Sequence, residues 1–151
     1  RNIILKAKEL VKNAKKKIVI SGWKREIVEI KKELISAKKR GIENTIFSFT
    51  KIDKNLGKIV SYKLNEDDLR KIWTPKIIMI VDNQHTIMGS TKKTDDCKAI
   101  LTKNTAINEI ATNHIILDIT LAGRRLGFES DSYVKNIMRD PAENLQHLLN
   151  V

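Results

Sequence analysis

The chain has few of the residues that disulfide, metal and membrane chemistry require. Its 151 residues include a single cysteine, Cys97, which excludes an internal disulfide and a cysteine metal cluster. The three histidines stand at no metal-ligand spacing and no CxxC occurs, so we expect no metal and no cofactor. No run reaches the ~18 apolar residues of a membrane span, and no signal segment opens the chain. These absences predict a reduced, cytoplasmic protein without a membrane partner.

Acidic residues are scarce near the N-terminus. The first 40 residues hold 14 Lys and Arg against 4 Asp and Glu, whereas the remaining residues hold 15 against 14. The first 40 residues, which contain the first two predicted helices, therefore carry almost all of the net charge of +11. Such a basic face can bind a phosphate backbone nonspecifically through counterion release, although a solvated lysine face is the simpler interpretation.

The first part of the chain predicts a strand–helix–strand unit. Apolar residues recur at helical spacing over 2–15, and a buried-type strand follows at 17–20. A second helix is predicted at 24–40, ended by Gly41 as a C-terminal cap, and a second strand at 42–49. Two strands joined through a helix by short turns form a βαβ unit, so these strands should be parallel.

The rest of the chain predicts a hairpin and a long apolar helix. Strands at 77–81 and 86–88 pair across a turn at 82–85. The helix at 105–121 is apolar around most of its circumference, which predicts burial by the sheet or by a second subunit, and Gly123 is expected to end it. The other predicted elements are a polar loop at 50–58, an edge strand at 59–63, an irregular segment at 65–71, a strand at 98–102, a weak helix at 131–138 and a last helix at 140–149.

These elements predict one α/β domain over residues 1–151. The strands should form a mixed, mostly parallel sheet with helices on both faces.

The hairpin carries half of a phosphodiesterase motif. Asp82, Gly89 and Ser90 match the right-hand part of H-x-K-x4-D-x6-G-S, and this segment resembles the active site of the phospholipase D superfamily. In that family the histidine attacks phosphorus and the lysine offsets phosphate charge. The corresponding positions here are Pro75 and Ile77, which can do neither. The resemblance therefore implies a phospholipase D-like half-module that lacks its catalytic residues.

No other residue replaces the missing nucleophile. Lys76 stands one position out of register, and only a β-bulge would turn it to the required face. His85 falls in the predicted hairpin turn, and His114 and His147 fall on predicted helices. We therefore predict that the chain has no catalytic residue.

A narrower resemblance covers roughly residues 1–121. The order of four segments is similar to the phospholipase D-like effector domain of TrmB-type transcriptional regulators: KAKELVKNAKKKIVISGW, ELISAKKRGIENTIF, IIMIVDNQHTIMGS and AILTKNTAINEIA. The resemblance implies an upstream winged-helix domain that binds DNA, a linking helix that also makes a homodimer, and a sugar or related metabolite as effector. We expect this chain to be a fragment that lacks the DNA-binding domain. It ends soon after the module, so the additional sugar-binding domain of the archaeal maltose and trehalose regulators is not expected in it.

A ligand site is predicted where the strands end, because open parallel sheets bind ligands at the carboxyl ends of their strands. We expect a ligand to contact Ser21, Trp23, Trp73, Asp82 and Ser90. Indole faces stack on the C–H surfaces of a sugar, while carboxylates and hydroxyls bind its hydroxyl groups. Each of the five also has a structural interpretation, as a cover of the sheet or as a turn residue.

The residues and the resemblances together predict a non-catalytic, ligand-sensing and dimerising domain of a TrmB-like bacterial or archaeal regulator. A homodimer of this half-module would bring two vestigial sites face to face, and the helix at 105–121 is one candidate for its seam. Two alternatives stay open. One is a divergent phosphodiesterase or nuclease that uses Lys76, Asp82 and Ser90; the other is a nucleic-acid-binding module that uses the basic face of residues 1–40.

Overall fold

The computed structural model describes residues 2–90, 99–138 and 149. Three strands form the parallel half of its sheet: β1 (Lys17–Gly22), β2 (Glu43–Thr50) and β3 (Lys58–Leu64). β1 pairs with β2 in parallel, β2 pairs with β3 in parallel, and β3 is an edge strand. The predicted βαβ unit and the predicted edge strand are therefore confirmed. The sequence of β2 explains its central place, because its β-branched and aromatic residues are buried on both faces.

The other half of the sheet is antiparallel. It contains β4 (Lys76–Val81), β5 (His85–Ser90) and β6 (Ile100–Thr102). Among the described residues the strand order is β3-β2-β1-β4-β5-β6, and β4 runs antiparallel to both β1 and β5. The mixed sheet and the hairpin are confirmed, but the prediction that the sheet is mostly parallel is wrong. The three-residue turn between β4 and β5 is too short for a parallel crossover, which needs a dozen residues or more.

Helices α1 (Asn2–Lys12), α2 (Lys24–Glu29) and α3 (Lys31–Lys39) cover one face of the sheet. The single helix predicted at 24–40 is thus two helices, separated at Ile30, whose φ of −110° and ψ of 13° leave the helical region. Ile27, Ile30 and Leu34 are all buried around this break. Gly41 ends α3 with a φ of +90°, as predicted, because a left-handed residue after the last turn favours glycine.

Helices α5 (Thr105–Leu126) and α6 (Asp131–Val134) lie on the opposite face, so the prediction of helices on both faces is confirmed. Gly123 does not end α5. The helix continues to Leu126, and Gly127, with a φ of +76°, accepts the left-handed conformation of the cap. A Cβ at residue 123 would lie 2.9 Å from the carbonyl oxygen of Phe128, so glycine is needed there for the close return of the chain.

Shorter elements also depart from the sequence prediction. The segment predicted to be irregular at 65–71 contains α4 (Glu66–Arg70), because the Asn65 side chain caps it by accepting bonds from the N–H groups of Asp67 and Asp68. The polar loop at 50–58 includes a 3-10 turn at Lys54–Leu56. The helix predicted at 140–149 lies outside the described residues except for Leu149, and His147 and Cys97 also lie outside them.

Candidate functional site

The carboxyl ends of β1, β2 and β3 meet at one edge of the sheet, which we call the upper edge. Because β4 is antiparallel to β1, it is the amino end of β4 that lies there, with Gly22 opposite Ile77. Ser90 pairs with Lys76 and therefore also lies at the upper edge. Ser21 and Ser90 share the face that carries α5, since each is two residues from a side chain packed on that face. They are two strands and two residues of register apart, about 12 Å.

Asp82 lies at the opposite edge. It follows β4, six residues from Lys76, so about 20 Å of strand separates it from the upper edge. Its carboxylate accepts hydrogen bonds from the backbone N–H groups of Lys15 (2.9 Å), Lys16 (2.7 Å) and Lys17 (3.0 Å). The residue thereby joins the hairpin turn to the start of β1. The five predicted site residues are consequently not brought together, because the antiparallel direction of β4 places its carboxyl end away from those of β1–β3.

Trp23 lies at the upper edge but is buried, and it starts α2 there. Its backbone N–H donates to Oε1 of Glu26 at 3.2 Å. The carboxylate of Glu26 is itself buried and lies 3.0 Å from Nε of Arg25. This position makes Trp23 a packing residue, and its indole cannot reach a ligand without a local opening of the structure.

Trp73 is accessible, with 46% of its surface exposed, and it belongs to a group of aromatic side chains. Its ring centroid lies 4.9 Å from that of Phe49, and Phe49 stacks on Tyr62 at 5.6 Å with an angle of 11° between the planes. Phe47 completes the group, with its ring centroid 5.0 Å from that of Phe49. We call Tyr62, Phe49 and Trp73 the aromatic row. The spacing of Phe47 and Phe49 on one face of β2 was the sequence signal for it, but the partner on β3 follows only from the fold.

A cation lies at each end of the aromatic row. Nζ of Lys76 is 5.8 Å from the centroid of Trp73, and Cζ of Arg125 is 5.8 Å from the centroid of Tyr62. Both distances fall in the range of cation–π contact. Arg125 also donates to the Tyr62 hydroxyl at 3.4 Å, and Lys76 donates to the carbonyl oxygen of Thr74 at 3.2 Å. Within the described residues, no carboxylate lies within 4 Å of either cation.

The positions of the missing catalytic residues are part of the hydrophobic core. Pro75 is buried, and Ile77 is fully buried on the face that carries α1–α3. The pairing of β4 with β5 is regular from Lys76 to Val81, so no bulge turns Lys76 toward the face of Ile77. The two positions at which the motif needs a histidine and a lysine therefore carry buried apolar side chains.

The described histidines lie away from this edge. His85 was predicted to lie in the hairpin turn, but it begins β5 opposite Val81 at the far edge of the sheet. His114 lies on the outward face of α5, where its Nε2 is 3.3 Å from Oδ2 of Asp118. Burial raises the pKa of the Asp118 carboxyl, and the facing imidazole opposes part of that rise. Over residues 2–90, 99–138 and 149, no group of three or more His, Cys, Asp and Glu is placed to hold a metal, and no helix is long and apolar enough to span a membrane.

The sheet, its hairpin and its helices define a phospholipase D-like fold. Solved structures share it, among them three that each have a TM-score of 0.53. NucT from Helicobacter pylori is 14% identical, over 76% of this chain and 86% of its own. Nuc from Salmonella typhimurium, a phospholipase D family member, is 18% identical, over 74% of this chain and 82% of its own. TrmBL2, an archaeal chromatin protein, is 14% identical over 76% of this chain, which spans 47% of TrmBL2.

Sequence comparison then identifies the family. Residues 1–113 match the family described as Transcriptional regulator TrmB, EBD N-terminal subdomain. The chain therefore belongs to the TrmB effector-binding domain family, and the predicted resemblance to it is confirmed. No curated protein matches the chain.

Proposed function

We propose that this chain is a non-catalytic domain of a TrmB-type regulator that senses an effector and dimerises. In the intact regulator, DNA would be bound mainly by a winged-helix domain outside this chain. The observation that carries the proposal is the replacement of both catalytic positions by the buried side chains of Pro75 and Ile77, at an edge of the sheet that still presents accessible aromatic and polar groups.

The loss of catalysis follows from the chemistry of the upper edge. Phosphodiester cleavage by this fold needs an imidazole that attacks phosphorus and a cation that offsets the developing charge. Lys76 can offer the charge, but neither described histidine lies near enough to act as the nucleophile. Family membership favours a regulator, whereas Nuc and NucT share only the fold at these identities.

Hydrolysis of bis(p-nitrophenyl) phosphate tests this part of the proposal. We expect no turnover above buffer for the purified chain, and the same result for the Lys76→Ala and Ser90→Ala variants. Turnover that is present in the wild type and falls in either variant would establish the divergent phosphodiesterase instead. Activity unchanged by both substitutions would indicate a contaminating nuclease, so the comparison of variants is essential.

The effector is proposed to contact Trp73 and the hydroxyls of Ser21 and Ser90. The exposed indole is the one large accessible aromatic surface described at this edge, and the C–H face of a sugar or polyol packs well on such a ring. The two cations at the ends of the aromatic row further favour a ligand that carries a negative group, such as a phosphorylated sugar.

A thermal-shift screen of sugars and phosphosugars, followed by calorimetry on any hit, tests effector binding. We expect Trp73→Ala to weaken binding at least tenfold. Ile72→Ala is the matched control, because Ile72 is the adjacent residue and is 71% exposed. If both substitutions weakened effector binding equally, or if neither weakened it, a site at Trp73 would be contradicted.

A second candidate function is nonspecific nucleic-acid binding. It is favoured by one observation: α1, α2 and α3 all pack on the same face of the sheet, so the basic residues that these helices carry lie on one side of the molecule.

A further inference from the structure

The outward face of α5 carries a stripe of exposed apolar side chains. Ile110 is 69% exposed, Leu117 58% and Leu121 43%, although the opposite side of the same helix is seated on the sheet. Together with His114 they occupy positions separated by four, three and four residues. That spacing is the seam of a two-helix coiled coil, in which successive seam residues are alternately three and four apart.

The stripe is self-complementary about a two-fold axis. The interval 4-3-4 reads the same in both directions, so an antiparallel second copy places its Leu121 opposite Ile110 and its Leu117 opposite His114. A parallel copy would instead place each seam residue opposite its own counterpart, and it too would be an isologous two-fold contact, so the charges beside the stripe decide between the two.

The charges beside the stripe favour the antiparallel orientation. At 100° per residue, Glu109 and Arg124 lie on the same flank of the stripe, one near each end of α5. Both are exposed, and neither has an ion-pair partner within 4 Å among the described residues. Antiparallel helices bring identical flanks together, so each Glu109 would face the Arg124 end of the other copy. The opposed helix dipoles also favour this arrangement.

We infer that the outward face of α5 is the surface on which a second copy of this chain docks antiparallel, with Ile110, His114, Leu117 and Leu121 as its seam. This inference rests on the proposed dimerisation and specifies its surface. One helix pair gives a contact at the small end of specific interfaces, so the dimer should be reversible and concentration-dependent.

Sedimentation velocity of the 151-residue chain over a range of concentrations tests the surface. We expect Leu117→Lys to raise the dissociation constant of the dimer at least tenfold, and Ile110→Lys to do the same. Matched controls are Leu5→Lys on α1, since Leu5 is 59% exposed, and Ile72→Lys beside α4. These controls should leave the dissociation constant within twofold of wild type. Circular dichroism and thermal unfolding of each variant establish that it is folded.

Charge reversal tests the orientation. Glu109→Arg and Arg124→Glu should each weaken the dimer, while the double variant should restore the dissociation constant to near that of wild type. A double variant weaker than either single variant would exclude the antiparallel arrangement.

The possible failures are distinguishable. A wild-type chain that stays monomeric at every concentration would overturn both the α5 surface and the proposed dimerisation. A dimer that is unaffected by Leu117→Lys would overturn the α5 surface alone. Effector binding at Trp73 and the absence of hydrolysis are measured on the same chain and do not depend on either outcome.

Discussion

The carboxylate of Asp82 accepts hydrogen bonds from three consecutive backbone N–H groups at the start of β1, which explains why an aspartate fits this position. Its Oδ1 receives the bonds from Lys16 and Lys17, and its Oδ2 the bond from Lys15. Hydrogen bonds to a charged group stabilise more than neutral ones. The residue is therefore a structural link between the hairpin and the parallel half of the sheet.

Two substitutions of Asp82 should distinguish how much each of its carboxylate oxygens contributes to stability. We expect Asp82→Ala to lower the free energy of unfolding by about 2–4 kcal/mol, because three N–H groups lose their acceptor. Asp82→Asn should cost less, because its amide oxygen can still accept the bonds from Lys16 and Lys17 while its NH₂ group faces the Lys15 N–H. Urea unfolding of the two variants checks the order. Equal losses, or a larger loss for Asp82→Ala in effector binding than in stability, would contradict this role.

Gly57 is a second residue whose identity the backbone dictates. Its φ is +148°, and a Cβ there would lie 2.4 Å from the carbonyl oxygen of Asn44. Gly41 also has a positive φ, but a Cβ there meets nothing within 4 Å. We expect Gly41→Ala to cost about 1 kcal/mol from backbone strain, and Gly57→Ala to cost several kcal/mol because the clash is with backbone. Urea denaturation of the pair measures the difference, and similar losses would show that the loop at Gly57 adjusts freely.

At the scale of elements, the carboxyl of Asp118 on α5 makes the stability of the folded chain depend on pH. Burial raises the folded-state pKa of its carboxyl above the unfolded value, so the ionised form is the less favourable one in the folded chain. Stability from this group is fully present below its unfolded pKa of about 4 and is lost as the pH rises through the folded pKa.

Asp118→Asn should remove this dependence of the free energy of unfolding on pH. The variant should match wild type in free energy of unfolding near pH 3, where the carboxyl is protonated, and exceed it by less than about 1 kcal/mol near pH 7. Partial exposure of the side chain limits the effect. Urea titrations at a series of pH values on monomeric protein check this. A variant that is less stable than wild type at neutral pH would show that the pair with His114 outweighs the burial of Asp118.

The elements show which parts of the fold a sequence can predict. The βαβ unit and the β4–β5 hairpin were predictable because hydrophobic runs, short turns and Gly41 all point to the same structure. The end of α5 was not, because either Gly123 or Gly127 can end a helix, and only the fold shows that Gly127 takes the left-handed cap while Gly123 makes room for the carbonyl oxygen of Phe128. α4 was missed for a different reason: its charged residues carry no hydrophobic period, and its Asn65 cap was the only signal.

The candidate site was predictable only in part, because it depends on the direction and register of strands and these are not set by local sequence. Ser21 and Ser90 lie at the carboxyl ends of β1 and β5, Trp73 precedes β4, and these strand ends meet at the upper edge. Asp82 was misplaced because the sequence does not state the direction of β4 relative to β1, and that direction decides which strand end reaches the site. The partner of Phe49 in the aromatic row depends on the register of β2 against β3, which no local pattern specifies.

At the scale of the whole molecule, the two faces of the sheet differ in charge. The helices α1–α3 hold nine Lys and Arg against four Glu. The C-terminal ends of α1 and α3 adjoin, since Arg40 donates to the carbonyl oxygens of Val11 (3.1 Å) and Lys12 (3.3 Å). Lys12 and Lys39 are both exposed beside this contact. A phosphate backbone laid across this face would displace counterions at every lysine it contacts.

We therefore expect the isolated chain to bind duplex DNA weakly and without sequence preference, with an affinity that falls steeply between 50 and 200 mM salt, as phosphate contacts imply. Lys12→Gln combined with Lys39→Gln should reduce the slope of log K against log salt by about 1–2, since each lost phosphate contact removes about 0.9. Lys63→Gln with Lys71→Gln is the matched control, because both lysines are exposed outside α1–α3. Fluorescence anisotropy with two unrelated duplexes measures both the slope and the preference. No binding at 50 mM salt would leave these lysines as a solvated surface, and a preference between the duplexes would mean that this domain reads sequence itself.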